Sequence, residues 1–178
     1  MIIVEGMDNS GKTTLIENIK DGLETQGVQG HFEHSPSHLI ATGRIQDWLT
    51  WIEISLLPDN QKYVYDRYPV LSEIVYGPIL RGSNLLSTTD HLERLKLLKP
   101  LIIYCRPDDD TIFDFRKPEM KGVKENRDQL LAGYDRMTRS LYTHGFDIHM
   151  YNFKDPKSKQ SVKFLIQRVI TNLERSNG

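Results

Sequence analysis

The chain has one cysteine, Cys105, so no intramolecular disulfide can form, and its apolar neighbours mark it as a small buried hydrophobe. Neither charge is in surplus: 23 basic and 24 acidic side chains leave a formal net charge of −1 over 178 residues. No global basic field therefore recommends a nucleic acid as partner. No apolar run approaches the roughly 20 residues that span a bilayer. A secretory signal is not expected, because an apolar strand begins at residue 2. The six histidines are scattered, without the His/Cys spacing of a zinc site. Internal repeats, low-complexity tracts and linkers are also missing. What remains is a soluble chain suited to the reducing cytoplasm, expected to be one domain over residues 1–178.

Against that plain background one run stands out. Gly6-Met7-Asp8-Asn9-Ser10-Gly11-Lys12-Thr13 fits the phosphate-binding pattern G-x-x-x-x-G-K-[ST], between the apolar run Ile2-Ile3-Val4 and an amphipathic stretch. Glycines let the backbone wrap an anion, and successive N–H groups with the helix N-terminus aim partial positive charge at phosphate oxygens. Lys12 can bridge the outer phosphates, and the Thr13 hydroxyl can join the shell of a magnesium ion. Gly6, Asn9, Ser10, Gly11, Lys12, Thr13 and Thr14 are the candidate binders of a nucleoside triphosphate.

Five short apolar or β-branched runs predict buried strands over Ile2–Glu5, His31–His34, Tyr63–Asp66, Leu101–Cys105 and Ile148–Asn152. Helical spacing joins Leu15, Ile16, Ile19 and Leu23, with Gly27 as a stop; Ile45, Trp48, Leu49 and Ile52 form a second face. Asp90 and Glu93 resemble a capping box ahead of Leu92, Leu95 and Leu98. Leu130 through Leu141 and Val162 through Leu173 mark the last two helices. Strands alternating with helices predict an α/β fold with a parallel sheet covered on both faces and sites at the carboxyl ends of its strands.

Tyr63-Val64-Tyr65-Asp66-Arg67-Tyr68-Pro69 reads as a strand ending in Asp-Arg-Tyr. Asp66 there can hold magnesium directly or through water, and Arg67 can clamp a second phosphate. No Asn-Lys-x-Asp guanine-reading motif and no Asp-x-x-Gly switch occurs, which argues against a GTPase.

Glu5-Gly6-Met7-Asp8-Asn9-Ser10-Gly11-Lys12-Thr13-Thr14 resembles the opening of thymidylate kinases, E-G-x-D-x-x-G-K-[ST]-T. Asp66-Arg67-Tyr68, followed by Ser72 and Tyr76, resembles their D-R-[YH] segment with its downstream serine and tyrosine. Element order agrees to the C-terminus, so the resemblance spans the whole chain. It implies a three-layer P-loop kinase fold, with a five-stranded parallel sheet flanked by helices and a lid at about residues 114–127. It further implies magnesium-dependent transfer of the ATP γ-phosphate to a deoxynucleoside monophosphate, dTMP first. On this resemblance Lys12, Arg67, Arg116 and Arg127 are the catalytic candidates; Asn9 stands where some members carry an arginine, so that charge should come from the lid. Asp8 (toward the sugar 3′-hydroxyl), Arg44, Arg67, Ser72 and Tyr76 are candidates for the acceptor, and Thr13 and Asp66 for Mg2+. Arg106 and the segment from Lys154 to Lys159 are expected beside the adenine. A homodimer is a family expectation, as is the cytoplasm (the host's, if so short a chain is viral).

The departures gather at the acceptor pocket. The stretch between the second strand and Asp66 is short, and Glu33-His34-Ser35-Pro36 replaces an arginine expected before the proline. Arg44 or the Trp48/Trp51 pair are the available substitutes, although Trp48 lies on an apolar face. The family's base-reading glutamine is replaced by Gly77 or, with the register shifted by one, by Tyr76. A broader deoxynucleotide range follows from these losses. Glu33 keeps a nucleoside kinase open, because it stands where a base could deprotonate a hydroxyl. A polynucleotide kinase and a non-kinase nucleotide-binding protein are the remaining alternatives.

Overall fold

Alternating side chains at the start of the chain decide the architecture. Ile2 and Val4 lie on one face of β1 (Ile2–Glu5) and Ile3 on the other, and all three are fully buried. A strand covered on both faces belongs inside a parallel sheet, and this one is the central strand. The computed structural model describes residues 1–35, 44–55, 63–108, 121–155 and 157–174, without the side chains of 51, 53–55, 158–161 and 172–174. Its other strands are β2 (His31–His34), β3 (Tyr63–Asp66), β4 (Leu101–Cys105) and β5 (Asp147–Tyr151). The five form one parallel sheet in the order β2-β3-β1-β4-β5.

Helices cover both faces. Ile2 and Val4 pack with Leu15, Ile19 and Leu23 of α1 (Lys12–Thr25) and with Leu165 and Val169 of α6 (Ser158–Glu174). On the opposite face Ile3 joins a larger cluster. It includes Leu49 and Ile52 of α2 (Ile45–Ser55), Leu71 and Val75 of α3 (Pro69–Tyr76), Leu95 of α4 (Thr88–Leu97), and Leu130 and Tyr134 of α5 (Arg127–Thr143). Among the described residues no helix is long and apolar enough to cross a membrane.

The first four strands have the expected bounds, and the fifth starts one residue earlier, at Asp147. Helix α4 begins at Thr88 after Ser87, not at Asp90, which sits in its first turn within 3.5 Å of the Ser87 hydroxyl. Helix α3 has no counterpart among the expected helices. Six of its eight residues are buried, and at about two turns it is too short for its apolar spacing to be told from a buried strand; only Pro69 at its first turn betrays it. The chain then widens into a π-helical turn, Gly77–Arg81. Pro78 within it has no N–H for an α-helical ladder.

Register brings the chemistry together. Val4 lies opposite Asp66 on β3 and Glu5 opposite Tyr104 on β4. The phosphate loop, Asp66-Arg67 and Arg106 therefore emerge side by side at the carboxyl edge of the sheet.

Candidate active site

The phosphate loop holds its shape through three residues with positive φ: Gly6 (145°), Asn9 (60°) and Gly11 (87°). Asparagine tolerates this region better than most side chains. The glycines also answer close approach. A Cβ on Gly6 would stand 2.6 Å from the Cys105 carbonyl oxygen, and one on Gly11 would stand 2.7 Å from the Phe153 ring. The loop is thus seated between the end of β4 and the segment after β5. Cys105 is the expected buried hydrophobe, its thiol pushed up to about 12 by burial.

Lys12, the first residue of α1, is only 7% exposed and donates to the Met7 carbonyl at 2.5 Å. Burial lowers its pKa to about 8, with Arg67 adding to the effect and Asp8 and Glu5 opposing it. An anion held against Lys12 would restore the ordinary protonation. Triphosphate affinity is therefore expected to fall as pH rises through 8, and binding at pH 8.5 should take up a fraction of a proton. Calorimetric enthalpies that vary with the ionisation enthalpy of the buffer would register the uptake; enthalpies independent of the buffer would contradict it.

Arg67 faces the loop from the end of β3. Its φ of 70° is unusual for a side-chain-bearing residue, and its N–H is tied to the Val4 carbonyl at 2.9 Å. Three neighbours fix the guanidinium: it forms an ion pair with Asp8, donates to the Tyr134 hydroxyl at 3.5 Å, and lies 5.3 Å from the centroid of the Tyr76 ring. Burial alone would lower its pKa, but Tyr134, Tyr76, Asp8 and Glu5 together hold it above the usual arginine value. It is a permanent cation whose Nη atoms keep donors that these contacts do not use.

Beneath this pair lies Glu5, fully buried at the end of β1. Its carboxylate accepts from the Gly6 and Tyr68 N–H groups (3.2 and 3.0 Å) and from the Ser72 and Tyr134 hydroxyls (3.1 and 3.0 Å). Four donors satisfy the buried charge and join the phosphate loop, α3 and α5 at one point. In the sequence Glu5 is only the head of the motif, and Tyr134 only one position within the helical run from Leu130 through Leu141. The missed signal was a carboxylate at the end of an otherwise wholly apolar strand, which requires donors from elsewhere.

Asp66 pairs with His34 at 2.9 Å through one oxygen, while its other oxygen is buried without a hydrogen-bond partner among the described residues. The Ser10 hydroxyl is in the same state. Thr13 and Thr14 are exposed at the head of α1. An unpartnered carboxylate oxygen and a threonine hydroxyl are donors that suit a magnesium ion taking few protein ligands and relying on phosphate and water for the rest. The described residues contain no cluster of three His, Cys, Asp or Glu that could hold a metal unaided.

On the other side of the loop, Arg106 donates from Nε and Nη2 to the two oxygens of Asp135 (3.0 and 3.2 Å) and from Nη1 to the Pro107 carbonyl at 2.7 Å. Each of its three nitrogens thus makes a hydrogen bond that holds the guanidinium plane, and its flat face is the natural surface to offer a ring. Phe153, half-exposed, rests on Gly11 nearby, and Asn152 accepts from the Lys154 N–H at 3.0 Å.

The structure thus brings together Glu5, Asp8, Lys12, Arg67, Ser72 and Tyr76, with Ser72 committed to Glu5. Arg44 is exposed at the head of α2. Arg127 bonds its neighbour Asp128 at 2.6 Å. Arg116 and residues 114–120 of the expected lid lie outside the described residues, as does Pro36. Trp48 packs edge-on against Tyr65, centroids 6.3 Å apart, which is the expected core role; the Trp51 side chain is not described.

Gly77 is buried, and a Cβ there would meet the Asn84 side-chain oxygen at 2.5 Å, Glu73 Oε1 at 2.8 Å and the Ser83 carbonyl at 3.0 Å. Glu73 cannot readily yield, because it accepts from the Leu85 N–H at 2.6 Å and pairs with Arg81. Gly77→Gln, which restores the glutamine expected of thymidylate kinases, should therefore cost about 2 kcal/mol of stability without sharpening preference for thymine. Denaturant titration and acceptor competition test this; a stable, thymine-selective variant would contradict it.

No family model matches the sequence, and no curated protein matches it. Solved structures do. The YorR protein from Bacillus subtilis, determined in complex with phosphorylated GDP, superposes with a TM-score of 0.70 at 21% identity, covering 94% of each chain. The thymidylate kinase from Candida albicans, described for its broad substrate specificity, superposes with a TM-score of 0.60 at 17% identity, covering 96% of this chain and 91% of that one. With its five-stranded parallel sheet, flanking helices and phosphate loop, the chain has the fold of P-loop kinases.

Proposed function

We propose that the protein transfers the γ-phosphate of ATP to a deoxynucleoside monophosphate, giving the diphosphate, with magnesium as cofactor. The observation that carries this reading is Arg67, held by Asp8 of the phosphate loop, with the buried cation Lys12 within its field. One cation suffices to hold a triphosphate. A second, permanently charged one, fixed in front of the same loop, is what an acceptor that already bears a phosphate requires.

In this reading the loop amides and Lys12 hold the donor phosphates, and Arg67 aligns the acceptor phosphate opposite them. Thr13 and Asp66 would hold magnesium, which when bound neutralises charge on the phosphates. Asp8 fixes Arg67 and offers its other oxygen toward the acceptor sugar. Arg106 presents its guanidinium face, and Phe153 its ring, to the base of ATP. Placing donor and acceptor in line is then most of the catalysis, because phosphoryl transfer asks little covalent chemistry of the protein.

Acceptor breadth is part of the proposal. Gly77 presents no base-reading side chain, and the neighbours of this fold include one kinase described as broad and one protein that carries a guanine nucleotide. ADP formation from ATP and magnesium should be accelerated by dTMP and by other deoxynucleoside monophosphates, dGMP among them. A response to thymidine or deoxycytidine alone would instead place the chemistry on Glu33 at the end of β2, and Glu33→Gln would then abolish it. Silence across the whole panel would leave a nucleotide-binding protein.

A further inference from the structure

We infer that Tyr134 of α5 is a positioning residue for Arg67, acting through its hydroxyl. This rests on the reading of Arg67 as the grip on the acceptor phosphate. The hydroxyl occupies the middle of a three-membered chain: Arg67 Nη1 donates to it at 3.5 Å, and it donates to Glu5 Oε1 at 3.0 Å. Burial keeps the phenol far above its ordinary pKa, with the nearby Glu5 adding to the effect, so it remains a donor to the carboxylate at any working pH.

The ring is not free to turn. It stacks on Tyr104, centroids 5.8 Å apart with planes inclined at 16°, and meets Tyr76 edge-on at 5.9 Å. Tyr76 in turn lies under the Arg67 guanidinium. Two of the three groups that orient Arg67 are therefore locked by the same aromatic stack, and Asp8 supplies the third. Tyr134 is also followed directly by Asp135, which fixes Arg106 and accepts from the Tyr104 hydroxyl at 3.0 Å. Consecutive residues of one helix hold an arginine on each side of the phosphate loop. A phenylalanine would fill the same volume as the ring of Tyr134; what the hydroxyl adds is one of the four donors to Glu5 and an acceptor for Arg67.

Tyr134→Phe separates positioning from packing. With the wild-type protein, the Arg67 Nε–Hε group should give an ordered signal in 15N relaxation, and in Tyr134→Phe that order should be lost, a readout that needs no substrate. In kinetics the variant should lose roughly tenfold or more in kcat/KM for the acceptor, because a displaced clamp misaligns the reaction, while KM for ATP stays unchanged. In an Arg67→Lys background the same change should have little further effect, since the residue it acts through is already altered. Unchanged Arg67 order, or full additivity of the two substitutions, would overturn the inference, as would a loss of thermal stability with intact kinetics. Lost Arg67 order in a protein whose wild type phosphorylates nothing would support the positioning role and reject the proposed reaction.

Discussion

Lys12→Met is expected to abolish turnover and to make the protein more stable. The catalytic side is direct: removal of the only buried cation of the phosphate loop should lower kcat by roughly 10³-fold, as loss of a preorganised charge at a transferring group does. The stability side follows from the same burial. Lowering a lysine from 10.5 to about 8 corresponds to a destabilisation on the order of 3 kcal/mol at neutral pH, offset in part by the bond to the Met7 carbonyl. Methionine keeps the length and loses the charge, so a net gain of about 1–2 kcal/mol and a Tm higher by several degrees are expected. Because Lys12 holds its proton less firmly folded than unfolded, wild-type stability rises as pH climbs from about 8 toward 10.5. That rise should be missing from Lys12→Met. Unfolding curves at pH 7 and pH 10 test both points; a less stable variant, or one with near-normal turnover, would contradict the account of the site.

Arg67 carries the second large effect. Arg67→Ala should lower kcat/KM for the acceptor by roughly 10²–10³-fold while leaving ATP affinity nearly intact, since only the acceptor loses its clamp. Arg67→Lys should recover little, because a lysine cannot pair with Asp8, donate to Tyr134 and stack on Tyr76 together. The backbone supplies an independent check. At φ 70° any residue with a Cβ is strained, so Arg67→Gly should be more stable than Arg67→Ala by about 1 kcal/mol. Both should be equally inactive. Equal stability of the two would show that the left-handed turn after β3 is not a source of strain.

Much of the fold was legible in the chain because its central strands β1 and β4 are buried on both faces. Ile2-Ile3-Val4 and Leu101-Ile102-Ile103-Tyr104-Cys105 are continuous apolar runs that only a covered parallel sheet accommodates. Helices with one wet face, α1 and α5 among them, could be read from their period. Helix α3 could not, since its eight residues make only about two turns, too few for a period to stand out, and α3 carries Ser72 and Tyr76. The phosphate loop was legible because its conformation demands particular residues, Gly6 and Gly11 above all. Glu5 and Tyr134 were not, because their roles exist only through contacts between residues 129 positions apart, and no local spacing encodes such a pair. The meaning of Gly77 likewise needed three dimensions: Glu73, Ser83 and Asn84 fill the space a longer side chain would enter.

On the proposed reaction, Lys12 and Arg67 hold two phosphates against each other across Asp8. The most direct measurement follows the phosphorus: ATP labelled at the γ position is incubated with magnesium and dTMP or dGMP, and the products are separated. The account predicts the label at the β position of the deoxynucleoside diphosphate, transferred by the wild type and not by Arg67→Ala. Label recovered as inorganic phosphate, or on the 5′-hydroxyl of a nucleoside supplied in place of the monophosphate, would contradict it.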